Sequence, residues 1–186
     1  MNSYPLEIKV SRPKTGGLIF ISLIGIWLSW RLIADPNSFV SAIFPIENLI
    51  LFTGILGFTF CLITTLLFIK RFFQEEPALI FSPEGIEEQG VLFNVGLIEW
   101  EDIPAYRTLK IGATKILLLE CSNPQKYIDR TNNPITKWMM KYNLKTYDAP
   151  FSISTVTLNI SHDELGKLMA KTWGETQLSH VNKTTT

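Results

Sequence analysis

"GLIEWEDIPAYR", Gly96 to Arg107, decides how the chain is read. Its apolar residues alternate, an acidic turn interrupts them, and alternation resumes after Pro104, the pattern of a half-buried antiparallel sheet in water. Just upstream lies "LILFTGILGFTFCLITTLLFIK", Leu49 to Lys70, too long and too apolar for such a sheet. A membrane hairpin and a water-exposed β-domain therefore share one chain.

The apolar stretches are two. Gly17 to Ala34 has about 18 residues and Ile46 to Ile69 about 24, each enough for a spanning helix. The segment between them, "DPNSFVSAIFP", is short and carries Pro36, Asn37 and Pro45, so the helices run antiparallel. Lys9, Arg12 and Lys14 precede the first helix, Lys70 and Arg71 follow the second, and the connecting loop has no Lys or Arg. The basic flanks predict both termini in the cytoplasm of a multi-pass protein of the inner (plasma) membrane. Arg31 near the far end can snorkel, and Trp27 and Trp30 stand at headgroup level. No small-x-small site follows the first run, so cleavage as a signal peptide is not expected. Gly25, Gly54 and Gly57 either let the helices approach closely or reflect the ordinary abundance of glycine in membrane helices.

The 186 residues carry 17 basic and 17 acidic side chains, which gives no reason to expect a nucleic-acid partner. The balance hides an asymmetry: nine acids against three bases from Glu75 to Glu120, then five against eight from Cys121 onward. Cys61 falls in an apolar run and Cys121 at a strand end, so no disulfide is expected between them and a reducing compartment suits both.

From Pro77 the pattern becomes short strands: Ala78–Ser82, Gly85–Gln89, Gly96–Trp100, Ala105–Ile111, Thr114–Cys121 and Phe151–Asn159, with turns at Pro83-Glu84-Gly85 and Gly112. Ser161 and Glu164 form a capping box for a last helix whose Leu165, Leu168, Met169 and Trp173 share a face. The polar end beyond about Thr176 is expected to fray. The expected architecture is α+β: a hairpin over residues 1–74, a bent antiparallel sheet closed by a C-terminal helix over 75–178, and a tail at 179–186.

Two N-terminal spanning helices, P-x-L-x-x-S-x-x-G-I at Pro77–Ile86, I-x-W-x-D-I at Ile98–Ile103 and the capped last helix together resemble small bacterial two-helix membrane proteins with a pleckstrin-homology-like cytoplasmic domain. The resemblance implies a PH-like sheet or barrel and brings no activity with it. Within it Trp100 is expected in the core and Asp102 in the turn.

No catalytic, cofactor or metal site is expected. Ser161-His162-Asp163 has the residue types of a hydrolytic triad, but consecutive residues in a helix's first turn point apart, and capping accounts for them. His162 and His180 are the only histidines and have no ligand spacing with Cys121. The many carboxylates from Glu84 to Asp102 read as a solvated face.

"NPITKWMMKYNLK", Asn133 to Lys145, breaks the β pattern. Pro134 suits a first helical position; Ile135, Trp138, Met139 and Tyr142 then share one face, with Lys137, Lys141 and Lys145 opposite or beside it. Such a helix packs on the sheet, enters a membrane surface or docks on a protein. Lys137, Trp138, Met139, Lys141, Tyr142 and Lys145 are thus the candidate contact residues.

The expected function is a non-enzymatic membrane-anchored scaffold, binding a protein partner or anionic lipid; self-association of the hairpins is compatible with it. The alternative is an immunity or stress-protection protein acting through its hairpin, which needs polar groups facing lipid, with Thr53, Thr59, Thr64 and Thr65 the candidates.

Overall fold

The computed structural model describes residues 5–40, 46–90 and 94–184, with 176–184 as backbone alone. The chain divides into two compact units. One is Arg12–Gln74; the other joins residues 1–11 to Glu75–Thr186. The residues before Arg12, expected within a hairpin over 1–74, thus belong to the β unit, and the hairpin is an insertion within it.

The hairpin is α1 (Arg12–Ala34), a 3₁₀ turn (Pro36–Phe39) and α2 (Glu47–Phe72). Both helices are long and apolar enough to cross a membrane. Phe20, Ile21, Trp27, Phe52 and Phe60 all face outward. Asp35 has its carboxylate bonded by the Ser38 hydroxyl at the turn; Pro45 lies outside the described residues. Small side chains recur where the helices meet. Thr15, Ser22 and Ser29 of α1, seven apart, are buried, opposite a row on α2 that includes Gly54 and Thr65. A Cβ on Gly54 would stand 3.0 Å from Ile33 and Leu32, one on Gly57 2.8 Å from Ser29 Oγ, and one on Gly25 2.6 Å from Cys61 Sγ. All three glycines are therefore points of close approach. A hydrogen bond crosses the seam, Thr65 Oγ1 donating to Ser22 Oγ at 2.9 Å.

The other unit holds two antiparallel sheets. The first runs β1 (Leu6–Ile8), β2 (Leu79–Phe81), β3 (Gly85–Gln89), β4 (Asn94–Glu99); the second runs β5 (Tyr106–Ile111), β6 (Thr114–Leu119), β7 (Phe151–Ser154). β1 pairs Leu6 with Phe81 and Ile8 with Leu79, although the whole hairpin lies between them in sequence. The N-terminal segment is also tied to the turn after β7: Asn159 N–H donates to Lys9 O and Ser11 N–H to Thr157 O.

At the turn between β2 and β3, Gly85 has no alternative, because a Cβ there would stand 2.0 Å from the Ile98 carbonyl oxygen. The acidic turn of the opening stretch is a 3₁₀ segment, Trp100–Asp102, between the sheets. Trp100 is buried and its indole N–H donates to Ser82 O at 2.9 Å. Gly112, at φ 58°, turns β5 into β6.

The strand expected over Phe151–Asn159 ends at Ser154. The chain turns there, with Leu158 N–H donating to Thr155 O, and Leu158 bridges to Val10. α3 (Pro124–Arg130) lies in a stretch whose sequence shows no clear period, and α4 (Pro134–Tyr147) follows it. α5 (His162–Thr184) closes the unit and carries helical backbone through most of the segment expected to fray; residues 185 and 186 lie outside the described residues. The core joins both sheets to the helices: Phe81, Ile86, Ile98 and Trp100, Leu117, Leu119 and Ile153, Tyr127 and Met140, Leu165 and Met169.

Candidate functional site

α4 forms where the sequence places it. Asn133 caps it, its Oδ1 accepting from Ile135 N at 2.9 Å and Thr136 N at 3.3 Å, with Pro134 at the first position. Asp148 ends it in the left-handed conformation, φ 51°, its N–H donating to Leu144 O.

The face that packs is not the one with the aromatics. Thr136 and Met140 are 1% and 2% exposed and Asn143 is buried with them. Asn143 Nδ2 donates to Ser152 Oγ of β7 at 3.2 Å. Ile135, Trp138 and Tyr142 are 48%, 61% and 47% exposed. Trp138 and Tyr142 stack on each other, centroids 5.6 Å apart and planes 19° apart. Met139 departs from its expected companions and is half-buried at the border. Lys141 and Lys145 are exposed and Lys137 half-buried. At i+3 and i+7 from Trp138, Lys141 and Lys145 lie on the aromatic side of the helix. The cleft beneath Met139, shared with Val95 and Phe151, has about 30 Å³, room for a water molecule only. The stacked aromatics stand outside that cleft, on the exposed side of α4.

A second cluster joins the turn after β4 to α3. Lys126 Nζ lies 2.8 Å from both Glu99 Oε2 and Asp102 Oδ2. The Tyr127 hydroxyl donates to Asp102 Oδ2 at 2.6 Å and accepts from Glu99 N–H at 3.1 Å. Arg130 covers the Tyr127 ring at 4.8 Å and donates to Val95 O at 2.9 Å and Leu97 O at 2.6 Å. α3 therefore satisfies the outer backbone groups of β4, an edge strand that would otherwise offer them to another chain.

Hydrogen bonds from Lys126 and then Tyr127 hold the Asp102 carboxyl below its ordinary range. Burial first, then Asp102, pushes the Tyr127 hydroxyl up to about 12. Lys126 is raised by its bonds to Asp102 and Glu99. Perturbed groups in a cleft would suggest acid–base chemistry, but these bind one another and join two elements. Asp102 shapes the turn, as expected, through Lys126 and Tyr127 on α3, a helix without a clear apolar period. Its signal was Asn123-Pro124, a cap followed by a first-position proline; Asn123 Oδ1 accepts from Lys126 N–H at 3.4 Å.

The apparent triad is dispersed. Ser161 and Glu164 make the capping box, with Ser161 N–H to Glu164 Oε2 at 2.9 Å and Glu164 N–H to Ser161 Oγ at 3.2 Å. His162 Nε2 lies 3.0 Å from Thr108 Oγ1, and Asp163 bridges to Lys115 at 2.9 Å. Both cysteines are free thiols, and burial pushes Cys121 up. Among the described residues no three His, Cys, Asp or Glu side chains gather as a metal site. In the hairpin the Thr53, Thr59 and Thr64 hydroxyls donate to carbonyls of their own helix, and Thr65 faces Ser22.

No family model, curated protein or solved structure matches the chain.

Proposed function

We propose that this is a membrane-anchored, non-enzymatic binding protein that works through the outward face of α4. The hairpin spans the inner membrane with both termini in the cytoplasm, and the β unit is a PH-like domain held at that leaflet. Supporting the anchor are the outward-facing apolar side chains of α1 and α2 and the Lys and Arg that flank them. Supporting the PH-like reading are a four-stranded and a three-stranded antiparallel sheet on one core, closed by a C-terminal helix. One observation carries the binding role: α4 is held through Thr136, Met140 and Asn143 while a Trp–Tyr stack faces out. Isolated exposed apolar residues are ordinary, but adjoining aromatics on a fixed helix mark a contact surface. Anchoring suits a weak contact, since it turns a bimolecular encounter into a local one.

The test is a photo-crosslinking residue placed at 138 or 142 of the full chain in cells, with Lys110 on β5 as the exposed control. Adducts, to protein or lipid, are expected at 138 and 142 and absent at 110. A face that captures nothing refutes the binding role.

A further inference from the structure

We infer that the occupant of the α4 face is an anionic lipid surface, into whose headgroup layer Trp138 and Tyr142 insert; this rests on the binding role just proposed. Three features of the helix carry the choice. The first is charge. From Thr131 to Tyr147 the chain has three lysines and no acid, in a protein whose total charge is zero. Lys141 and Lys145 flank the aromatics on the exposed side, where ammonium groups meet phosphates while the stems lie along apolar surface.

The second is the kind of apolar group. Trp and Tyr have a flat apolar body and one polar edge, which suits the boundary between headgroups and acyl chains. Their stacked rings, with Ile135 beside them, form a ledge along one side of the helix. The third is shape. The cleft beneath Met139 is water-sized, too small to grip a side chain as the hot-spot pockets of protein interfaces do. An exposed, basic, aromatic helix face matches a planar anionic surface, and the two apolar helices of the same chain keep such a surface within reach.

Each lysine near an anionic surface shifts the docked-to-free ratio about fivefold. Replacing Lys141 and Lys145 by Gln therefore lowers it about 25-fold. The experiment uses the full chain labelled with 5-fluorotryptophan in nanodiscs, either phosphatidylcholine alone or with about one third phosphatidylglycerol, both carrying a trace of lipid with a nitroxide high on its acyl chain. Trp138→Phe assigns the resonance, and the buried Trp100 is the internal control. Trp138 is expected to broaden in the anionic discs, to stay sharp in the neutral ones, and to sharpen again in Lys141→Gln/Lys145→Gln. A resonance that stays sharp in the anionic discs, or broadens equally in both, overturns the lipid proposal. If it stays sharp while position 138 crosslinks to protein in cells, the binding role stands with a protein as occupant. If position 138 also crosslinks to nothing, both readings fall.

Discussion

Tyr127→Phe removes one oxygen and keeps the ring, so it isolates what the α3 cluster contributes. The ring keeps its T-shaped contact with Phe151, 5.1 Å between centroids, and Arg130 over it at 4.8 Å. Two bonds go: the donation to Asp102 at 2.6 Å and the acceptance from Glu99 N–H at 3.1 Å. A hydrogen bond to a charged group contributes about 1.5–3 kcal/mol, and a buried N–H left alone costs about 1–3 kcal/mol. Asp102 keeps Lys126 and its side chain is 17% exposed, so water offsets part of the loss. The expected destabilisation is about 2–4 kcal/mol. The pH dependence gives a second signature. Asp102 is lowered on folding, so its contribution is present above about pH 4 and is lost as pH falls through the folded value. Tyr127 is raised to about 12 from an ordinary value near 10, so its contribution is full below pH 10 and is lost as pH rises through 12. The variant should lack that tyrosine's share of the alkaline fall, up to about 3 kcal/mol at 1.36 kcal/mol per pH unit. It retains the share of Lys126, whose raised pKa acts in the same direction. The assay is urea unfolding of the full chain in mild detergent at several pH values, followed through the fluorotryptophan resonance of Trp100. A loss under about 1 kcal/mol at pH 7, or an unchanged alkaline limb, refutes the reasoning.

Gly85→Ala puts a methyl 2.0 Å from the Ile98 carbonyl oxygen, backbone that cannot step aside, and should destabilise by about 3 kcal/mol or more; a neutral result in a thermal scan would refute the β3–β4 register. Met140→Ala should cost about 2–4 kcal/mol as a core truncation, while Trp138→Ala stays within about 0.5 kcal/mol. Equal losses in urea titration would mean that the aromatic face is packed after all. Thr65→Val deletes the bond across the hairpin seam and should weaken it by about 0.6 kcal/mol, at most about 1.7; titration with a denaturing detergent reads this, and a loss above about 3 kcal/mol would show that packing, not the bond, was disturbed.

How far the sequence could be read followed the range of the forces involved. Turns set by single residues were legible: Pro83-Glu84-Gly85, Gly112, and the Ser161–Glu164 box each act within four positions. α4 was legible as a helix, because Asn133, Pro134 and the 3.6 period are local. Which side packs was not, since that depends on Ser152 of β7 meeting Asn143, and polar Thr136 lines the buried side while Trp138 does not. β1 was invisible for another reason: three residues show no periodicity, and their partner strand lies beyond two helices. β7 was drawn too long because Leu158 does enter the core, from a turn bridged to Val10 and not from a strand.

The insertion of the hairpin between β1 and β2 has a consequence for the order of events during synthesis. β1 leaves the ribosome first and has to wait for α1, α2 and β2 before it can pair. The intervening loop is about 70 residues, and closing a loop of that length as free chain costs about 4 kcal/mol. That is a large share of the 5–15 kcal/mol by which an ordinary domain is stable. Folded against each other, the two helices return the chain to where it left, so that a Cβ on Gly16 would stand 3.8 Å from the Phe72 ring, and most of that entropy is already lost when β2 emerges. A chain whose helices have come together therefore completes its first sheet readily. One whose helices have failed to meet leaves Leu79 and Phe81 at an open edge. Closure of the β unit is in that sense a report that the hairpin has formed.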